Sequence, residues 1–167
     1  VQVYGAGQLV PEGGMMAGLQ TGIVDLCAHT SGFVQTVYPS FMAVDLPFLF
    51  SDEKKAETML DGPVGARLLS DLPAKGIYGL SYGWWGWRVI DARDRGVPEP
   101  KDMHGLKIRV QAGAVFASTF KTLQAIPTSI SITEVYLALS DGTIGAVEVP
   151  IISVTANKFE EVVKVIT

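Results

Sequence analysis

Cysteine occurs once, at position 27, so the chain can form neither an internal disulfide nor a cysteine-built metal centre. Histidine is almost as scarce. His29 and His104 stand far apart with no second ligand at useful spacing, and both read as turn or surface residues. Charged residues make up only 18% of the chain, with 17 acids against 13 bases and a net charge of −4. Without a basic stripe, nucleic acid is excluded as the main partner. With 48% apolar residues, disorder is excluded as well. No apolar run approaches the ~20 residues that cross a bilayer. The most apolar stretch, FMAVDLPFLF at 41–50, is broken by Asp45 and Pro47 and reads as core. There is no G-x-S-x-G, phosphate loop, H-E-x-x-H or dinucleotide fingerprint, and the acids show no general acid/base pairing. The expectation is therefore a binder rather than an enzyme, with no catalytic residue, metal or cofactor.

The 167 residues suit one ordinary domain or two small lobes. Short apolar runs alternate with helical patterns, the signature of an α/β fold with a mostly parallel sheet. Strands are predicted over 1–4, 23–28 (with Cys27 a buried, inert thiol), 77–82, 87–91, 107–110 and 144–149. Helices are predicted over 11–20, 52–60, 63–72 and 113–124, after the Ser131/Glu134 capping-box spacing, and from Pro150 to about Phe159. Residues 93–105 read as a loop with one helical turn. The chain opens on VQVY and closes on EEVVKVIT, both strand-like, which reads as a piece of something longer. A lobe boundary is expected near residue 86, giving a first lobe over 1–85 and a second over 86–167.

Three features bear on chemistry. Arg109 alternates out of the apolar strand KIRV near its carboxyl end, where open α/β sheets bind ligands. Its planar fork fits a carboxylate, although a surface or structural ion-pair role explains the pattern equally simply. Arg88 follows GWWGW in another strand. On a neighbouring strand it would build an anion site with Arg109; otherwise it stacks on Trp85 or Trp87. The segment YGWWGW at 82–87 supplies either core packing or a flat apolar wall for a ligand. Strand alternation would put Trp85 and Trp87 on one face and Trp84 on the other.

The pieces VYGAGQL, LQTGIVDL, VDLPFLFSD, LDGPVGARLL, PKDMHGLKIRV, FKTLQAIPTSISITEVYLAL, DGTIGAVEVP and NKFEEVVKVIT follow one another in order along essentially the whole chain. Together they resemble the substrate-binding proteins of tripartite ATP-independent periplasmic (TRAP) transporters, the DctP-like family. The resemblance implies a two-lobed, periplasmic-binding-protein-like α/β fold that closes on a small organic acid. It also implies delivery of that acid to a membrane permease, a periplasmic location and a monomer. Set against the family, the chain lacks a first strand and helix and about the last third, so both lobes are expected to be partial. Arg109 falls where the family binds the carboxylate, and Arg88 where a second Arg is common. Thr30 aligns with a ligand-facing position of the first lobe. Val149 stands where the family often has an amide, in Val147-Glu148-Val149-Pro150, and Ile132 stands where an aromatic residue is frequent. With Trp84 or Trp85 against the ligand body, these swaps favour a monocarboxylate with an apolar or aromatic body. The alternatives are a sensor domain using the same pocket and, further off, a small acyl-transforming enzyme.

Overall fold

The computed structural model describes all residues, Val1–Thr167, which fall into two compact units, Val1–Trp84 and Trp85–Thr167.

The first unit is helical. Its α-helices are α1 (Met15–Thr21), α2 (Ser31–Val34), α3 (Glu53–Leu60) and α4 (Pro63–Asp71), with 3-10 segments and irregular chain around them. Asp52 caps α3, its carboxylate accepting the Lys55 N–H at 2.9 Å. Pro63 opens α4, where its missing N–H costs nothing. Gly65 lets α4 approach α3: a Cβ there would lie 1.7 Å from the Leu60 carbonyl oxygen. Phe41, Leu68 and Leu72 form a small core with Val34, Tyr38 and Tyr82 packed against it. Asp45 ties the turn after α2 back to that helix, accepting from Ser31 Oγ at 2.5 Å and Gln35 Nε2 at 3.0 Å.

The strands expected over 1–4, 23–28 and 77–82 do not form. A strand exists through its ladder, and these segments pair neither with one another nor with the rest of the chain. Their alternation leaves Val3, Ile23, Leu26, Tyr78 and Leu80 exposed instead. Cys27 is therefore only half-buried in irregular chain, with its thiol pushed up by that burial.

The second unit is a five-stranded α/β layer. Its strands are β1 (Arg88–Ala92), β2 (Lys107–Val110), β3 (Ile126–Ser129), β4 (Ala146–Pro150) and β5 (Val165–Ile166), in the order β3-β2-β4-β1-β5. The sheet is mixed. β2 runs parallel to β3 and β4, while β1 runs antiparallel to β4 and β5. Helix α5 (Ala114–Thr122) follows β2 and brings Phe116 and Phe120 onto one face, against Ile108, Val110 and Ala146. Helices α6 (Ile132–Asp141) and α7 (Ile151–Ala156) cover the other face, where Val135, Leu139, Val154 and Phe159 meet Val147 and Val149. Each face thus carries its own apolar cluster, as a sheet between helical layers requires. The expected capping box opens α6, the Glu134 carboxylate accepting the Ser131 N–H at 3.1 Å. Gly142, at φ 81°, closes the same helix in the left-handed region.

Candidate functional site

The connections of the second unit diverge at one place. From β2 the chain passes into α5 on one face. From the adjacent, parallel β4 it passes into α7 on the other. Strand ends that diverge in this way leave a crevice outside their carboxyl termini, where open α/β sheets hold ligands. Arg109, Val110 and Gln111 bring β2 to this point, and Val149 and Pro150 bring β4. Arg88 joins them because antiparallel β1 begins opposite Pro150.

Arg109 is only 2% exposed. Its Nε donates to the Ile130 carbonyl at 3.0 Å, in the turn after β3. That bond fixes the plane of the guanidinium, which is what bidentate recognition of a carboxylate needs. The register pairs Arg109 with Val147 and Arg88 with Pro150, and Ile90 with Glu148. By the alternation of the pleat, Arg109 sits on the face of Val147 and Val149, and Arg88 on that of Ile90 and Glu148. The two arginines share one end of the sheet, but β4 lies between their strands, so the neighbouring-strand arrangement that would join them in one anion site does not form.

Arg88 is committed to Glu148. Its Nε and the Glu148 carboxylate form an ion pair, and its Nη2 donates to Glu148 Oε2 at 2.8 Å. The guanidinium also lies over the Phe116 ring, 5.0 Å from its centroid, rather than stacking on Trp85 or Trp87. Glu148 is buried, and the pair is neutral as a unit. The strand reading of 144–149 passed over Glu148. Its signal was an acid inside an otherwise apolar strand, matching the Arg inside β1.

Val149 is buried within the apolar cluster beneath α6 and α7. Ile132, the first residue of α6, packs against the same cluster. Neither position carries a side-chain hydrogen-bonding group. Within YGWWGW, Tyr82 packs against the first unit's core, whereas Trp84, Trp85 and Trp87 are all exposed, so the core-packing reading fails for the tryptophans. No strand forms there before Arg88, and Gly86 at φ 94° breaks the extended run, so the expected alternation of the three rings does not apply. In the first unit, Thr30 precedes α2 with its hydroxyl buried and without a hydrogen-bond partner. His29 stacks on Phe33 at 4.3 Å, with Nε2 3.1 Å from the Glu12 carbonyl, and His104 is exposed. No group of three or more His, Cys, Asp or Glu residues converges to hold a metal ion.

The chain is similar to known proteins along its whole length. The family model described as bacterial extracellular solute-binding protein, family 7 (DctP), matches residues 1–167. The 2,3-diketo-L-gulonate-binding periplasmic protein YiaO of Escherichia coli is 37% identical over 150 residues, covering 90% of this chain and 46% of that protein. The C4-dicarboxylate-binding periplasmic protein DctP of Rhodobacter capsulatus is 33% identical over 165 residues, covering 98% of this chain and 49% of that protein. A TRAP periplasmic solute-binding protein from Polaromonas, bound to D-erythronate, superposes with a TM-score of 0.95 at 32% identity, covering 99% of this chain and 55% of that one. The chain thus spans about half the length of these relatives, which are binding proteins and not enzymes. A match over all 167 residues, joined to this sheet order, shows that the chain belongs to the bacterial extracellular solute-binding protein family 7, the DctP family of TRAP receptors.

Proposed function

We propose that this chain is part of an extracytoplasmic TRAP receptor that binds a monocarboxylate with an apolar or aromatic body, without transforming it, and passes it to the membrane permease. The observation that carries this reading is Arg109, a guanidinium buried at the carboxyl end of β2 where the connections diverge, with its plane set by the Ile130 carbonyl. It stands where open α/β sheets hold ligands, and its planar fork fits a carboxylate. Arg88, neutralised by Glu148, supports the rim of the site and contributes less net charge.

The surroundings support the apolar preference. Val149 and Ile132 bring no donor or acceptor to this end of the sheet, where a polyhydroxylated acid would need them. Trp85 is exposed and presents a flat apolar face that suits a ligand body. The relatives' periplasmic setting supports the same location here, with the receptor acting as a monomer. No helix is long and apolar enough to cross a membrane. Nothing at the site favours the sensor reading.

Binding calorimetry tests the proposal with 3-phenylpropanoate and D-erythronate as probes. The expected result is tighter binding of 3-phenylpropanoate, abolished by Arg109→Ala. Affinity surviving that substitution within tenfold refutes the assigned role, and preference for D-erythronate refutes the apolar body.

A further inference from the structure

One apolar side chain at the same strand end stays open although the stripe of its helix is buried. Helix α7 packs on the sheet through Val154, which is 2% exposed. Ile151 stands three residues earlier, on the same side of the helix, yet is 45% exposed. β4 ends at Pro150 and β1 begins opposite it at Arg88, so the sheet stops before Ile151. Side chains on a helix lean towards its start, which carries that of Ile151 further past the strand end. Its neighbours there belong to the tryptophan segment. The Ile151 N–H donates to the Trp87 carbonyl at 3.0 Å, and a Cβ on Gly86 would lie 3.7 Å from Ile151 Cγ2. Arg109 sits on the sheet face that α7 covers, on the strand adjacent and parallel to β4. The buried charge and the open hydrocarbon therefore flank one strand end.

We infer that Ile151 is a specificity-determining residue on which the hydrocarbon body of the acid rests once Arg109 holds its carboxylate. The inference rests on the carboxylate reading of Arg109 and gives the body of the ligand its contact. A hydrocarbon body laid over Ile151 takes apolar surface out of water on both sides. A hydroxylated body would instead lose water from its polar groups and find no partner in this side chain. The next residue, Ile152, does not share the role. It belongs to the outward stripe of α7 with Thr155 and Ala156, and all three are exposed.

The test is calorimetric titration of 3-phenylpropanoate into the parent protein, Ile151→Ala, Ile152→Ala and Arg109→Ala. Ile151→Ala is expected to weaken binding about tenfold, the order of the hydrocarbon contact it removes. Ile152→Ala, an equal truncation on the outward stripe, should stay within about twofold of the parent. Titrations at several temperatures should give a less negative heat-capacity change of binding in Ile151→Ala, because less apolar surface is buried. Arg109→Ala should abolish binding. If it does so while Ile151→Ala stays within about twofold of the parent, the role of Ile151 is overturned and the carboxylate reading stands. An equal loss in Ile152→Ala, or a loss in Ile151→Ala without the change in heat capacity, would mark a structural role and also overturn the inference. If the parent does not bind the acid, or if Arg109→Ala leaves binding intact, the carboxylate reading fails and this inference falls with it.

Discussion

Asp91 sits in the middle of β1, fully shielded from solvent, and neither of its carboxylate oxygens has a hydrogen-bond partner. Its register neighbours are Val147 on β4 and Ile166 on β5, so the strands on either side bring hydrocarbon. Burial pushes its pKa from 3.8 up to about 6. In the unfolded chain the group returns to an ordinary value near 3.9. Below about pH 4 both states hold the proton and the residue does not make stability depend on pH. Between about pH 4 and pH 6 the unfolded chain gives the proton up while the folded chain keeps it, so stability falls as pH rises. Each unit costs about 1.4 kcal/mol, and the loss levels off above pH 6 at about 3 kcal/mol. Asp91→Asn keeps the shape and removes the titration. Urea denaturation at pH 4, 5, 6 and 7.5 reads the difference through the midpoint at constant m. The two proteins should be close in stability at pH 4 and diverge to about 3 kcal/mol at pH 7.5, with the variant the more stable. Parallel curves across that range would refute the argument, because the carboxylate would then have found solvation or a partner on ionising.

Two further substitutions probe the frame around the site. Glu148→Gln leaves the Arg88 guanidinium, 29% exposed, without its countercharge, and should lower the urea stability by about 1–2 kcal/mol; an unchanged midpoint would show that the pair contributes nothing. Gly65→Ala drives a methyl group into the Leu60 carbonyl, so the α3–α4 pairing should be lost, read as a drop in helical circular dichroism; a native-like spectrum and melting curve would contradict that close approach.

Much of the second unit is legible in the sequence because its signals are local. KIRV alternates, Ser131 and Glu134 stand at capping-box spacing, and the turn glycine at 142 ends the helix before the apolar strand of Val147 and Val149. Strand β3 is not legible. Its sequence, IPTS, has no apolar alternation and contains a proline, which an edge strand paired only to β2 tolerates. The first unit misleads for the opposite reason. Residues 23–28 and 77–82 have strand-like composition, but composition cannot say whether a pairing partner is present, and without one the segments remain irregular. At the site, Arg109 is readable as a charge near the carboxyl end of an apolar strand. The commitment of Arg88 to Glu148 is a cross-strand contact that depends on the register of β1 against β4, over sixty residues of sequence.

The central claim is that Arg109 grips the acid group of the ligand. A crystal structure of the protein with 3-phenylpropanoate bound tests it most directly. Both carboxylate oxygens should lie about 2.7–2.9 Å from the Arg109 guanidinium nitrogens, at the carboxyl ends of β2 and β4. A carboxylate seated elsewhere, with Arg109 untouched by the ligand, would contradict it.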